Sequence, residues 1–238
     1  MKSLNSKLLI NALARISDAV TSDLYLDEIL KLIVTVTAEV MNSKICSLML
    51  LDKKTQELAV KATQSVSEFY NTKPNARIGE GIAGRVAQSG KSITVLDVRK
   101  DARYLNQAIA KKEHLCSLLS VPLIFKGNVI GVLNCYTVKP HRFGQGEIRI
   151  IRSIASLAAI VIENFRLVVE SQAIQEELES RKAIERAKGI LMKREGLSEQ
   201  GAYKLIRKYS MDKRKSMKEV AEAILLSEEM QKIASSKE

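Results

Sequence analysis

Between Arg181 and Lys218 the chain carries thirteen Lys/Arg against four Asp/Glu, a net +9 of the +11 borne by all 238 residues. Ammonium and guanidinium groups at that density do one kind of chemistry well: they neutralise a polyanion, with nucleic acid the first expectation. So many like charges in one short segment repel each other unless a counter-anion joins them. The cations outside the apolar stripes of this segment are the contact candidates: Arg181, Lys188, Lys193, Arg194, Arg207, Lys208, Lys213, Arg214 and Lys215. Each phosphate that such a group neutralises should add close to one unit to the salt dependence of binding. The segment is poor in aromatics, so Arg planes would have to do much of any stacking on unpaired bases. Met192, Tyr203 and Met211 are assigned to the core or its boundary rather than to stacking, and Gly189 to a close approach between helices rather than to a phosphate.

Other chemistry is sparse. Gly79-Glu80-Gly81-Ile82-Ala83-Gly84 matches G-x-G-x-x-G, with Asp97 some way behind it, as in a dinucleotide-binding turn. The context excludes that reading. Thr72 to Arg77, with Pro74 inside, is no buried parallel strand, and the helix expected over Ile82–Gln88 is too short for a crossover. A turn and a short, closely packed helix beside a sheet is the expectation instead. His114-Leu115-Cys116 could serve redox sensing or chromophore attachment, or Cys116 could be a loop cysteine with no role. Cys46 and Cys135 fall in apolar strand-like runs and read as buried free thiols. No carboxylate pair, metal-ligand set or nucleophile–base arrangement stands out, so no catalytic residue, metal or cofactor is assigned.

The elements that must position these residues follow from periodicity. Residues 4–20 and 26–41 have helical spacing, with the break at Asp23 or Leu24. Five strand-like runs come next, at 44–52, 57–63, 92–98, 119–126 and 128–137, the last two joined by the hairpin signal Lys126-Gly127-Asn128. From Gly146 the helical pattern runs on for about 50 residues without a proline. Ile160, Leu167, Ile174 and, in an alternate register, Leu178 form a seam with Asn164 and Ser171. That seam suits a helix paired with its twin in a second subunit, or one packed back on its own sheet. Gly196 closes this helix, Ser198 caps a second over about 199–210, Met211–Lys215 connects, and Ser216-Met217-Lys218-Glu219 is a capping box for a third. Three apolar stripes would pack together: Ile184, Ala187, Leu191; Ala202, Leu205, Ile206, Tyr209; Val220, Ala221, Ile224.

An apolar fraction of 46% supports a globular core and rules out a disordered chain. No run of apolar residues is long enough to span a bilayer. The first twenty residues mix Asn, Arg and Asp into their apolar positions, as an amphipathic helix does and a signal peptide does not. Three cysteines without CxxC spacing fit the reducing cytoplasm.

Two resemblances sharpen this. Ile78–Val98 (IGEGIAGRVAQSGKSITVLDV) followed by Ser120–Tyr136 (SVPLIFKGNVIGVLNCY) resembles a GAF domain, over about residues 11–169. The resemblance implies a small-ligand sensor or dimerisation unit without naming a ligand. Within that fold, free methionine-(R)-sulfoxide reductases use a loop cysteine that Cys116 could match. Ala83 stands where they carry a resolving cysteine, however, and without a second thiol no disulfide cycle closes. The basic segment resembles the ANTAR module of the AmiR and NasR type antitermination regulators. The matching residues are Ala187-Lys188-Gly189-Ile190-Leu191-Met192, Ala202-Tyr203-Lys204-Leu205-Ile206-Arg207, Met211–Arg214 and Val220-Ala221, over about 174–230, with Tyr203 where the family commonly has Phe. It implies a three-helix bundle that binds paired stem-loops in a leader transcript and keeps a terminator hairpin from forming.

The expected protein is therefore α+β. A GAF-like antiparallel sheet with flanking helices over 1–169 leads through a helical linker over 170–180, a dimeric coiled coil in one reading, to an all-α ANTAR module over 181–238. Its expected partners are tandem RNA stem-loops, a second copy of itself and, where the GAF domain takes one, a small-molecule ligand, with no membrane. The expected function is antitermination in the cytoplasm, without enzymatic activity. The alternatives are a DNA-binding regulator, against which the length of the Met211–Ser216 connector counts, and a thiol switch or enzyme at Cys116.

Overall fold

The computed structural model describes residues 2–22, 24–65, 67–71 and 73–235, so Asp23 and Thr72 of the expectations above lie outside the described residues. Contacts divide the chain into two units, residues 1–165 and 166–238.

The first unit begins with two helices, α1 (Lys2–Val20) and α2 (Leu26–Met41). The backbone N–H of Tyr25 donates to Glu28 at 2.9 Å to start α2, and Asn42 ends it in the left-handed region. Strands β1 (Ile45–Asp52) and β2 (Glu57–Thr63) form a hairpin. After these come α3 (Glu68–Asn71), β3 (Ala76–Arg77), α4 (Gly81–Ser89), β4 (Ile93–Val95), α5 (Gln107–Lys112), β5 (Leu118–Phe125) and β6 (Asn128–Tyr136). The six strands lie in the order β3-β2-β1-β6-β5-β4, every neighbouring pair antiparallel. Lys126 and Gly127 both take positive φ in the two-residue turn between β5 and β6, as expected for a tight hairpin.

Strand alternation gives the sheet two faces. Cys46, Leu48, Leu119, Val121, Leu133 and Cys135 point into one core shared with α1, α2 and Ile151–Ile162 of α6 (Gln145–Glu195). Ile45, Met49, Leu118, Val132 and Tyr136 point to the other face, under α4 and the segments around Tyr70 and Tyr104.

Two strand expectations change. The described residues form six strands rather than five. Strand β3 pairs only through Glu57↔Arg77 and Leu58↔Ala76, too short to show an alternating pattern. The run expected at 92–98 shortens to three residues because Leu96 turns its carbonyl to the Ser117 hydroxyl at 2.6 Å. The glycine motif is structural: a Cβ on Gly84 would lie 2.0 Å from the Arg77 carbonyl oxygen, and Gly79 and Gly81 have φ of +83° and +63°. Those glycines let α4 pass tightly beside β3.

The second unit contains the later turns of α6, α7 (Glu199–Lys213) and α8 (Met217–Ser235). Gly196 follows α6 with φ +65°. Ser198 caps α7 by accepting from Gly201 N at 3.2 Å. The capping box of α8 is present in both directions: Glu219 N donates to Ser216 Oγ at 3.1 Å, and Ser216 N to Glu219 Oε2 at 2.7 Å. Ala183, Ala187, Leu191, Ala202, Ile206, Val220 and Ala221 are buried together. The expected end of α7 is corrected. The helix continues to Lys213, because Met211-Asp212-Lys213 contains no breaker. The chain turns only at Arg214, a non-glycine residue in the left-handed region at φ +52°. The connector to α8 is thus residues 214–216.

Candidate nucleic-acid interface

The basic segment folds into the three helices of the second unit, which sort its cations by surroundings. Lys188 is the exception among the nine candidates. Only 7% of it is exposed, and its Nζ donates to Glu185 at 2.9 Å and to Glu199 at 2.8 Å. The Glu199 hydrogen bond, then that of Glu185, holds the amine above the usual lysine range, and Lys188 in return lowers Glu199. Its charge is engaged inside the module, where it ties α6 to the start of α7.

The other eight are exposed. Arg181 pairs with Glu177 at 2.6 Å, Arg194 with Glu195 at 2.9 Å and Lys215 with Glu219 at 2.9 Å. Exposed pairs of this kind hold their geometry weakly and can exchange for phosphate. Lys193, Arg207, Lys208 and Arg214 have no carboxylate partner among the described residues. Lys213 Nζ stands 5.8 Å from the Tyr209 ring centroid. Arg194 and Lys215, twenty-one positions apart in sequence, border one cleft of about 600 Å³ with Leu191, Leu205, Tyr209 and Ile224. Lys213, Arg214 and Lys215 form a continuous basic edge where α7 ends.

Several expected core positions are surface. Leu205 is 44% and Tyr209 54% exposed, so the α7 stripe is buried only through Ala202 and Ile206. Met192, Tyr203 and Met211 are also exposed, at 39%, 42% and 63%. Helical spacing fixes which residues share a face; it does not say whether three short helices suffice to cover it. Gly189 departs as well: a Cβ there would meet nothing within 4 Å, so no helix packs closely against it. The sequence signal missed for Lys188 was Glu185, three residues earlier and hence on the same helical face.

In the first unit the cysteines are buried. Cys46 and Cys135 face each other across β1 and β6, Sγ to Sγ 3.1 Å, with the Cys135 thiol pushed up by burial. Thiols in that setting are poor nucleophiles. Cys116 is also buried and accepts from Arg99 Nη2 at 3.3 Å, while Arg99 is clamped to Asp97 by two bonds of 2.8 Å. Among the described residues no group of three His, Cys, Asp or Glu is placed to hold a metal, and no helix is long and apolar enough to cross a membrane.

A second polar site lies beneath α4. A hollow of about 30 Å³ is bordered by Lys73, Tyr104, Asn134 and Tyr136. Asn134 is 1% exposed, and neither its Oδ1 nor its Nδ2 has a protein partner. Ser120, opposite it on β5, likewise leaves its Oγ unpartnered. Lys73 donates to Tyr70 OH at 3.0 Å and lies 4.2 Å above that ring; burial lowers its amine to about 7.

Comparison with known proteins places both units. The GAF domain family matches residues 24–163, and the ANTAR domain matches residues 172–225. The methyl sulfide methyltransferase-associated sensor of Methanosarcina acetivorans is 30% identical over 155 residues, 63% of this chain and 16% of that protein. The transcriptional regulatory protein PdtaR of Mycobacterium tuberculosis is 35% identical over 94 residues, 38% of this chain and 42% of that protein. The chain thus spans less than half the length of these relatives. Among solved structures, the GAF domain of a phosphoenolpyruvate-protein phosphotransferase from Coxiella burnetii superposes with a TM-score of 0.63 at 25% identity, covering 70% of this chain and 99% of that one.

Proposed function

The chain belongs to the GAF domain family and carries an ANTAR domain behind that domain, and from this premise we propose that it is an RNA-binding regulator of transcription antitermination. The observation that carries the reading is the coincidence of the ANTAR match, residues 172–225, with the exposed cations of α6, α7 and the connector from α7 to α8. The contact set is Arg181, Lys193, Arg194, Arg207, Lys208, Lys213, Arg214 and Lys215, with Lys188 holding the module together beneath them. Paired stem-loops in a leader transcript are the ligand. Bases held in them are withheld from the terminator hairpin. We set the domains at 1–169 and 181–238, with 170–180 as the helical linker.

The GAF domain supplies the sensing half. Its unpartnered Asn134 and Ser120, next to Lys73, favour a small polar ligand on the α4 side of the sheet. Dimerisation is supported by the seam on α6, where Ile160, Leu167, Ile174 and Leu178 are 47%, 51%, 61% and 45% exposed. Binding of a two-hairpin leader RNA, measured against a scrambled RNA over a salt series, tests the RNA reading. Preference for the hairpins that survives high salt is expected; equal, purely salt-driven binding of both would overturn it.

One observation favours DNA as a second reading. The connector of residues 214–216 is as short as that of a helix-turn-helix, which removes the objection drawn from sequence. Competition at matched salt separates the two: duplex DNA displacing hairpin RNA would favour the DNA reading.

A further inference from the structure

We propose that an unpaired base of the RNA loop stacks on Tyr203, in the hollow that Lys188 of α6 forms with the start of α7. The inference rests on the RNA reading above and deepens it. Glu185, Lys188, Gly189 and Met192 are spaced i, i+3, i+4 and i+7, so they share one face of α6. The bond from Lys188 Nζ to Glu199 fixes the start of α7 to that face. One turn further along α7, Tyr203 borders a hollow of about 230 Å³ with Lys188, Glu199, Gln200 and Lys204.

Three features of this hollow and of the α6 face that holds Lys188 lack an internal explanation. Tyr203 presents 42% of its surface to solvent, and Met192 39%. Gly189 sits inside a helix, where glycine is unfavourable relative to alanine, although a Cβ there would meet nothing within 4 Å. A glycine that the fold does not need leaves bare backbone for something outside the fold to approach. A planar base accounts for the first and the last: its face stacks on the phenol ring, its sugar passes over Gly189, and its edge meets the Glu199 carboxylate or the Gln200 amide. Lys204 and Arg207, on the Tyr203 side of α7 and exposed, stand where the flanking phosphates would run. Single-stranded RNA is recognised in this way, by stacking with edge hydrogen bonds inside a basic surround.

The cleft holding Leu205 and Tyr209 is the competing place. It is larger and lined by more apolar residues, but nothing there corresponds to the uncovered glycine. Tyr209 is therefore the internal control.

The probe is a two-hairpin RNA selected from a pool with randomised loops, together with the same stems closed by abasic loops. The full chain and the variants Tyr203→Ala, Tyr203→Phe, Gly189→Ala and Tyr209→Ala are titrated with both, after circular dichroism and melting confirm that each is folded. Tyr203→Ala should weaken binding of the base-bearing hairpins about 5- to 150-fold, the range for one base stacked on an aromatic. It should bind both RNAs alike, since the stack is already gone. Tyr203→Phe should keep the preference. Gly189→Ala should lose on the order of tenfold while melting higher than the parent. Tyr209→Ala should behave as the parent. Preference lost with Tyr209→Ala and kept with Tyr203→Ala would overturn the assignment to Tyr203. So would unchanged affinity in Tyr203→Ala and Gly189→Ala while the parent still prefers base-bearing loops. If the parent itself does not distinguish hairpin from scrambled RNA, the RNA reading fails first.

Discussion

The two units place their unpaired polar groups in opposite ways. In the first, Asn134 and Ser120 are buried in the sheet with no protein partner for their side chains, and half-buried Lys73, at the same hollow as Asn134, bonds the Tyr70 hydroxyl. In the second, the cations point outward, and the one that is buried, Lys188, is held between two carboxylates. A buried polar group that is left unsatisfied costs stability, whereas an exposed cation costs almost nothing. The contrast separates a place built to hold something small from a surface built to meet a large polyanion. Each variant below tests one side of it.

Reversing two exposed cations should have the largest effect. Arg207→Glu with Arg214→Glu changes local charge by four and removes two candidate phosphate contacts. Hairpin RNA affinity should fall by roughly 100-fold or more at low salt, and the slope of log affinity against log salt should flatten by about one to two units. The melting temperature should hardly move, since both residues are exposed. An unchanged slope would mean that this surface does not meet phosphates.

Lys73→Met probes the opposite case. Burial lowers this amine from 10.5 to about 7, and the groups facing it are Tyr70, Tyr104, Tyr136 and Glu80. The three phenols are themselves pushed up by burial and stay neutral. Between pH 7 and 10.5 the unfolded chain binds the Lys73 proton and the folded chain does not. Stability therefore rises with pH across that window, and the penalty is complete below pH 7. The methionine variant should be more stable than the parent at pH 7 by roughly 1–3 kcal/mol and should lose that advantage toward pH 10.5, as read by urea melts of the first unit. A parallel pH profile in parent and variant would show Lys73 to be solvated. Asn134→Leu belongs to the same test with a smaller effect. Removing a buried amide without partners should stabilise the unit by about 1 kcal/mol.

Much of this was legible in the sequence, and what was missed has a common cause. The 51-residue α6 announced itself by the absence of breakers, and both helix starts in the second unit by Ser198 and by Ser216 with Glu219. These are local signals, read within one turn of helix. The failures are non-local or short. Strand β3 has two residues, and the end of α7 depends on Arg214 adopting a left-handed conformation that no glycine advertises. Exposure of Leu205 and Tyr209 depends on how much surface two other helices can cover. The candidate site was readable as a charge cluster, but the burial of Lys188 and the openness around Gly189 arise only when α6 and α7 pack.

The smallest effect expected concerns the box that starts α8. Glu219 is held down to about 2, first by the hydrogen bond from Lys215 and then by those from Ser216. A carboxylate whose folded value lies below its unfolded value of 4.5 adds stability that is complete above pH 4.5 and disappears as pH falls toward 2. Residues 166–238 should therefore show a modest loss of helicity over that window, and Glu219→Gln should blunt it without altering the neutral-pH fold. Because Lys215 is one of the proposed contacts, the same variant also frees its ammonium. At neutral pH it should bind hairpin RNA slightly more tightly than the parent, and a weaker complex would place Lys215 outside the interface.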